Sequence, residues 1–116
     1  MPMTMVEEQI DKSKLSEIAN ERFGDMVKAV VDIERGIMAV GAELHSDEEL
    51  FLLEQGSKQQ NLWGINLYPD KSDEEWIEFD SMINLRPSQG NRTRGVNDPE
   101  VRQKIKDIIK QLIKDF

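Results

Sequence analysis

Asn84-Leu85-Arg86-Pro87-Ser88-Gln89-Gly90-Asn91-Arg92-Thr93-Arg94-Gly95-Val96-Asn97-Asp98-Pro99 divides the last strand-like run of the chain from its clearest helical run. Downstream, Asp98 suits a helix N-cap and Pro99 the first helical position. Val101, Ile105, Ile108, Ile109, Leu112, Ile113 and Phe116 then recur at three- and four-residue spacing, which predicts one apolar stripe. Upstream, Trp76 to about Leu85 alternates, with Ile77, Phe79, Ser81, Ile83 and Leu85 on one face. Glu78, Asp80, Met82 and Asn84 fall on the other, as period two requires of a strand. The stretch therefore reads as a strand-to-helix crossing, and its three arginines and two glycines make it a place to hold an anion.

Further upstream, Asn61 to Pro69 predicts another strand, stopped by Pro69. Ser46-Asp47-Glu48-Glu49 has the form of a capping box opening a helix through Leu50, Phe51 and Leu53 that Gly56 closes. Asp25 to Glu43 reads as a β-hairpin turning at Glu34-Arg35-Gly36. Its second strand is apolar on both faces, which places it inside the sheet. Ser13 introduces a short amphipathic helix, Leu15 to Phe23, that Gly24 ends. Residues 1–10 allow an edge strand or a frayed terminus. The expected fold is α+β: one domain, residues 1–116, with about three helices packed on a four-stranded, mainly antiparallel sheet. Its order is helix, hairpin, helix, strand pair, helix.

The chain has 116 residues, no cysteine and a net charge of −8. Without cysteine there are no disulfides, thiolate metal sites or cysteine nucleophiles. The acidic first twenty residues do not read as a leader, and no run is long enough to span a bilayer, so a cytoplasmic protein without membrane contact is expected. Residues 1–80 hold 7 basic and 19 acidic side chains, a balance of −12, whereas residues 81–116 hold 8 and 4, a balance of +4. The acidic body should repel duplex nucleic acid. The basic end suits a local anion site, or neutralises the acidic part of its own fold or of a second copy in a homodimer.

Three runs carry a resemblance. They are Met26-Val27-Lys28-Ala29-Val30-Val31-Asp32, Leu62-Trp63-Gly64-Ile65-Asn66-Leu67-Tyr68-Pro69, and Phe79 to Pro87 with Gln89-Gly90-Asn91-Arg92 and Gly95-Val96 through Glu100. Together they resemble a small prokaryotic family known only as a domain of unknown function, over most of the chain past about residue 20. The resemblance implies one intact domain and carries no activity, cofactor or catalytic residue with it.

The candidate site is the arginine loop. Arg86, Arg92 and Arg94 offer planar forks for carboxylate or phosphate, and Ser88, Gln89, Asn91 and Thr93 add neutral donors. The partner would be an acidic protein segment or a small anionic, even nucleotide-like, ligand. In the structural alternative, the arginines pair with Glu78, Asp80 or the acidic 73–75 loop and brace the crossing. Glu78 and Asp80 on one strand face could also do acid–base work beside the arginines, which would make an enzyme on an anionic substrate, RNA included. His45 lacks the companions of a catalytic histidine and is expected to pack beside the helix cap with Leu50. The acidic runs are contiguous rather than spaced as ligands, so no metal and no cofactor is expected.

Overall fold

The computed structural model describes residues 3–115, the side chains of Asp73 and Glu74 excepted. In chain order the elements are β1 (Thr4–Val6), β2 (Ile10–Asp11), α1 (Lys12–Arg22), β3 (Val27–Asp32) and β4 (Ile37–Val40), then α2 (His45–Glu54), β5 (Leu62–Leu67), β6 (Ile77–Glu78), α3 (Pro99–Leu112) and β7 (Ile113–Lys114). The main sheet is antiparallel throughout, in the order β1-β4-β3-β5-β6. It has five strands rather than the four expected, because Thr4–Val6 pairs with Val40–Met38 and covers the flank of the hairpin. β4 is thereby interior, as its two apolar faces require.

Helices cover both faces of this sheet. Leu15, Ile18 and Ala19 of α1 join Ile105, Ile108, Ile109 and Leu112 of α3 against Val27, Ala29, Val31, Met38, Ile65 and Leu67. On the opposite face Leu52 of α2 packs with Val30, Ile37, Ala39 and Leu62. Asp98 caps α3 as expected, its Oδ1 accepting from Glu100 N at 2.9 Å with Pro99 following. The helix stops at Leu112, before the last two positions of its stripe, Ile113 and Phe116. Ile113 is buried in β7, which pairs in parallel with β2 and clasps the two ends of the chain. Phe116, the last position of that stripe, lies outside the described residues.

Two expectations fail for one shared reason, that tertiary bonds outcompete local signals. The capping box is absent: α2 begins at His45, Leu44 is its N-cap, and no side chain caps it. The His45 ring is instead held by the Ile65 carbonyl, and Glu48 turns inward to accept from Ala42 N. Leu50 is 57% exposed, so no staple with His45 forms.

The fourth strand of the expectation, Trp76 to Leu85, also shrinks to Ile77–Glu78. Past Asp80 the chain folds into a 3-10 turn at Met82–Asn84, which Ser81 Oγ caps by accepting from Ile83 N. The Asn84 side chain then takes the place of a strand, accepting from Gly64 N at 2.8 Å and donating to Gly64 O at 2.9 Å. The alternation breaks at its end: Asn84 is buried and Leu85 exposed, the reverse of the expected faces, whereas Met82 is exposed as its face requires. Gly64 is required for this seat, since a Cβ there would stand 2.6 Å from Ser81 Cβ. Among the described residues, no helix is long and apolar enough to cross a membrane.

Candidate functional site

Part of the loop's polar set is spent within the loop itself. Asn91, buried, donates from Nδ2 to the carbonyls of Asn84, Thr93 and Gly95 and accepts from Asn97 N. Thr93 Oγ1 donates to Asn97 Oδ1 and accepts from Gly95 N. A second 3-10 turn, Pro87–Gln89, ends on Gly90 at φ 79°, a conformation glycine adopts without steric cost. Such a loop is stiff, because its buried polar groups are satisfied in one arrangement only.

The three arginines go three ways. Arg86, 8% exposed, reaches back to β5. Its guanidinium donates to the carbonyls of Ile83, Gln59 and Leu62 and to Gln89 Oε1, and it lies 4.5 Å above the Trp63 ring. Burial lowers its pKa, countered in part by the charge of Glu49, which stands beyond ion-pair contact. Arg94 pairs through Nε with Asp80 Oδ1 at 2.7 Å, exposed on both sides. Arg92 is exposed at the tip with no partner among the described residues. Arg86 works at Leu62, whereas Asp80 sits near Asn66, four residues along β5 and roughly 13 Å away. The loop therefore does not gather the three guanidinium heads into one cradle. Ser88 is exposed on the second turn.

What the loop does build is a cleft of about 230 Å³ against the start of α3. Trp63, Ile33 and Val101 line it with apolar surface. Gln60, Gln89, Gly90, Asn91 and Asn97 add polar groups, and Asp98 a carboxylate. Trp63 is 5% exposed, and its Nε1–H is buried without an acceptor. An unsatisfied buried donor costs free energy, and that cost is relieved by any acceptor that reaches it. Of the loop residues singled out by chemistry, Gln89 and Asn91 line the cleft and Arg86 stands behind it on Trp63. Gly90, Asn97 and Asp98 of the same stretch complete it, with Ile33, Gln60, Trp63 and Val101 from other parts of the chain.

The other candidates lie on the α2 face. Glu78 Oε1 accepts from Asn66 Nδ2 at 2.8 Å and from the Tyr68 hydroxyl at 3.1 Å. Burial, then the Glu78 carboxylate, raises the Tyr68 phenol. His45 Nε2 lies 2.7 Å from the Ile65 carbonyl and so carries the proton, and burial lowers the pKa of the ring. Glu78 and Asp80 are each tied to neighbours, and the described residues contain no cluster of three side chains able to hold a metal. A hollow of about 380 Å³ between Arg22 and α2 is bordered by Glu43, Asp47 and Glu54, which is the wrong sign for an anion.

Comparison with known families decides the affiliation: the model for proteins of unknown function DUF5674 matches residues 4–112. The chain belongs to that family. No curated protein and no solved structure matches it. The DUF5674 match takes in β1, which lies before the runs that carry the resemblance in the sequence, and ends with α3. The cleft is built wholly from residues inside the DUF5674 match.

Proposed function

We propose that this chain is a small cytoplasmic binding module that holds the carboxylate of a small ligand or acidic segment in the cleft over Trp63. The observation that carries this reading is the buried Trp63 N–H, which has no acceptor, beneath a guanidinium bonded only to neutral oxygens. Arg86 is a cation removed from water with no carboxylate in ion-pair contact among the described residues. The indole N–H of the ring it covers is unbonded. Carbonyl dipoles satisfy the guanidinium hydrogens, and the Glu49 carboxylate offsets its charge only in part from beyond ion-pair contact, so an opposite charge nearby would still be favourable. Exposed Arg92 adds local positive potential on the approach. Asp98, which also lines the cleft, repels a doubly charged phosphate more than a singly charged carboxylate, so carboxylate is the better fit.

Thermal melts test this, because a ligand that binds only the native state raises its stability. At matched ionic strength, acetate should raise the melting temperature of the wild type, phosphate less, and chloride not at all. Arg92→Ala should keep the wild-type fold and respond more weakly to acetate, whereas Trp63→Phe should not respond. Equal responses to acetate and chloride in the wild type would overturn the reading.

A further inference from the structure

α2 turns a carboxylic acid inward and leucines outward. Glu48 and Leu52 are its buried residues, while Leu50 is 57% exposed and Leu53 is exposed beside it. Asp47, Leu50, Phe51 and Glu54 follow one another at helical spacing, so they share one stripe of α2. That stripe lines the hollow of about 380 Å³, together with Met3, Arg22 and Glu43. The charge of the hollow is one-sided. Arg22 donates to Gly41 O at 3.0 Å and pairs with Glu43 at 3.9 Å. The carboxylates of Asp47 and Glu54 have no ion-pair or hydrogen-bond partner among the described residues. Seven residues of helix set them about 11 Å apart, with Leu50 and Phe51 between.

Exposed leucines bracketed by unpaired carboxylates describe half of an interface. We propose that this face of α2 docks a basic amphipathic helix of a partner protein. Two apolar side chains of that helix rest on Leu50, Phe51 and Met3, and two lysines or arginines seven residues apart meet Asp47 and Glu54. The required pattern is Lys-x-x-Leu-Leu-x-x-Lys, the complement of the α2 stripe at the same helical period. A second copy of this chain fits less well. Placing α2 against α2 brings like carboxylates together, which is repulsive. The exposed face of α3 is basic through Lys104 and Lys110, but it presents Gln103, Asp107 and Gln111 rather than apolar groups to Leu50. An anionic membrane is repelled by the same carboxylates. The hollow shares no residue with the cleft over Trp63.

Fluorescence anisotropy of the full chain with labelled helical peptides tests the proposal. The probe carries the Lys-x-x-Leu-Leu-x-x-Lys pattern on an alanine background. One control peptide has serine for both leucines, and the other has glutamate for both lysines. The wild type should bind the probe saturably, at least about tenfold more tightly than either control. Leu50→Ser changes an exposed side chain, so the fold is kept, and it should weaken the probe at least about tenfold. Asp47→Asn combined with Glu54→Gln should weaken it about threefold or more and flatten its salt dependence. No saturable binding, or serine-peptide binding as tight as the probe, would overturn the proposal. So would a wild-type dimer in sedimentation that Leu50→Ser dissolves, which would give the face to a second copy. Retention on phosphatidylserine vesicles that Leu50→Ser abolishes would give it to a membrane and overturn the proposal equally.

Discussion

Replacing Arg86 by alanine should be among the most damaging changes in the arginine loop, for a reason unrelated to carboxylate pairing. The side chain ties the loop to β5 through the carbonyls of Ile83, Gln59 and Leu62, and its plane covers Trp63. Hydrogen bonds from a charged donor contribute about 1.5–3 kcal/mol each. The bonds to Ile83 and Gln59 are part-buried, so water replaces some of that loss, while the bond to Leu62 is buried and is lost in full. Adding about 0.5–1 kcal/mol for the stacked ring, the expected destabilisation is about 3–5 kcal/mol. Arg86→Lys should recover only part of it, because one ammonium cannot span three divergent carbonyls. Denaturant midpoints of the three proteins, taken with unchanged slopes, measure this directly. A loss below about 1 kcal/mol for Arg86→Ala would refute the claim that this residue pins the loop.

Arg92→Ala should shift stability by no more than about 0.5 kcal/mol in the absence of ligand, and Arg94→Ala by no more than about 1 kcal/mol. The carbonyl of residue 94, which accepts from Ser81 N and Asn84 Nδ2, survives that substitution, and urea titration would show a structural role if either variant unfolds. Gly64→Ala should cost about 1–3 kcal/mol, since the new Cβ meets Ser81 at 2.6 Å, and a wild-type melting temperature would mean the turn at Met82–Asn84 does not sit on β5 as described. Glu48 is wholly buried, with Oε1 unpartnered, and burial raises its pKa well above 4.5. The native state then keeps a proton that the unfolded chain releases above pH 4.5. Stability is therefore lost at up to about 1.4 kcal/mol per pH unit until the folded carboxyl ionises. Glu48→Gln should remove that loss, so its advantage over wild type should grow as the pH rises above about 4.5; parallel pH profiles would contradict the assignment.

The elements that were legible in the sequence are those whose signals are local. Asp98-Pro99 fixes the start of α3, Gly36 turns the hairpin, and Gly24 and Gly56 follow α1 and α2 at φ 92° and 97°. β1 is three residues long and carries too little alternation to separate an edge strand from a loose terminus. The run from Ile77 to Leu85 alternates like a strand, yet its partner edge on β5 is taken by the Asn84 side chain, which no periodicity reveals. Ser46-Asp47-Glu48-Glu49 matches a capping box, but Glu48 turns inward and accepts from Ala42 N, and α2 starts at His45 without a side-chain cap. The site divides in the same way. Arg86, Gln89 and Asn91 stood out by chemistry, and Arg94 meets Asp80 as the bracing alternative allows. Trp63 does not stand out in the same way, because nothing in a linear sequence tells whether an indole N–H will find an acceptor.

The central claim is that the unbonded indole of Trp63 marks a carboxylate site. The most direct measurement is the proton–nitrogen correlation spectrum of the chain's two indoles, Trp63 and Trp76, assigned with Trp63→Phe and recorded during titration with acetate. A new acceptor should move the Trp63 Nε1–H resonance downfield in a saturable way and leave that of Trp76 in place. An unmoved Trp63 resonance, or equal drift of both indoles with added salt, would contradict the account.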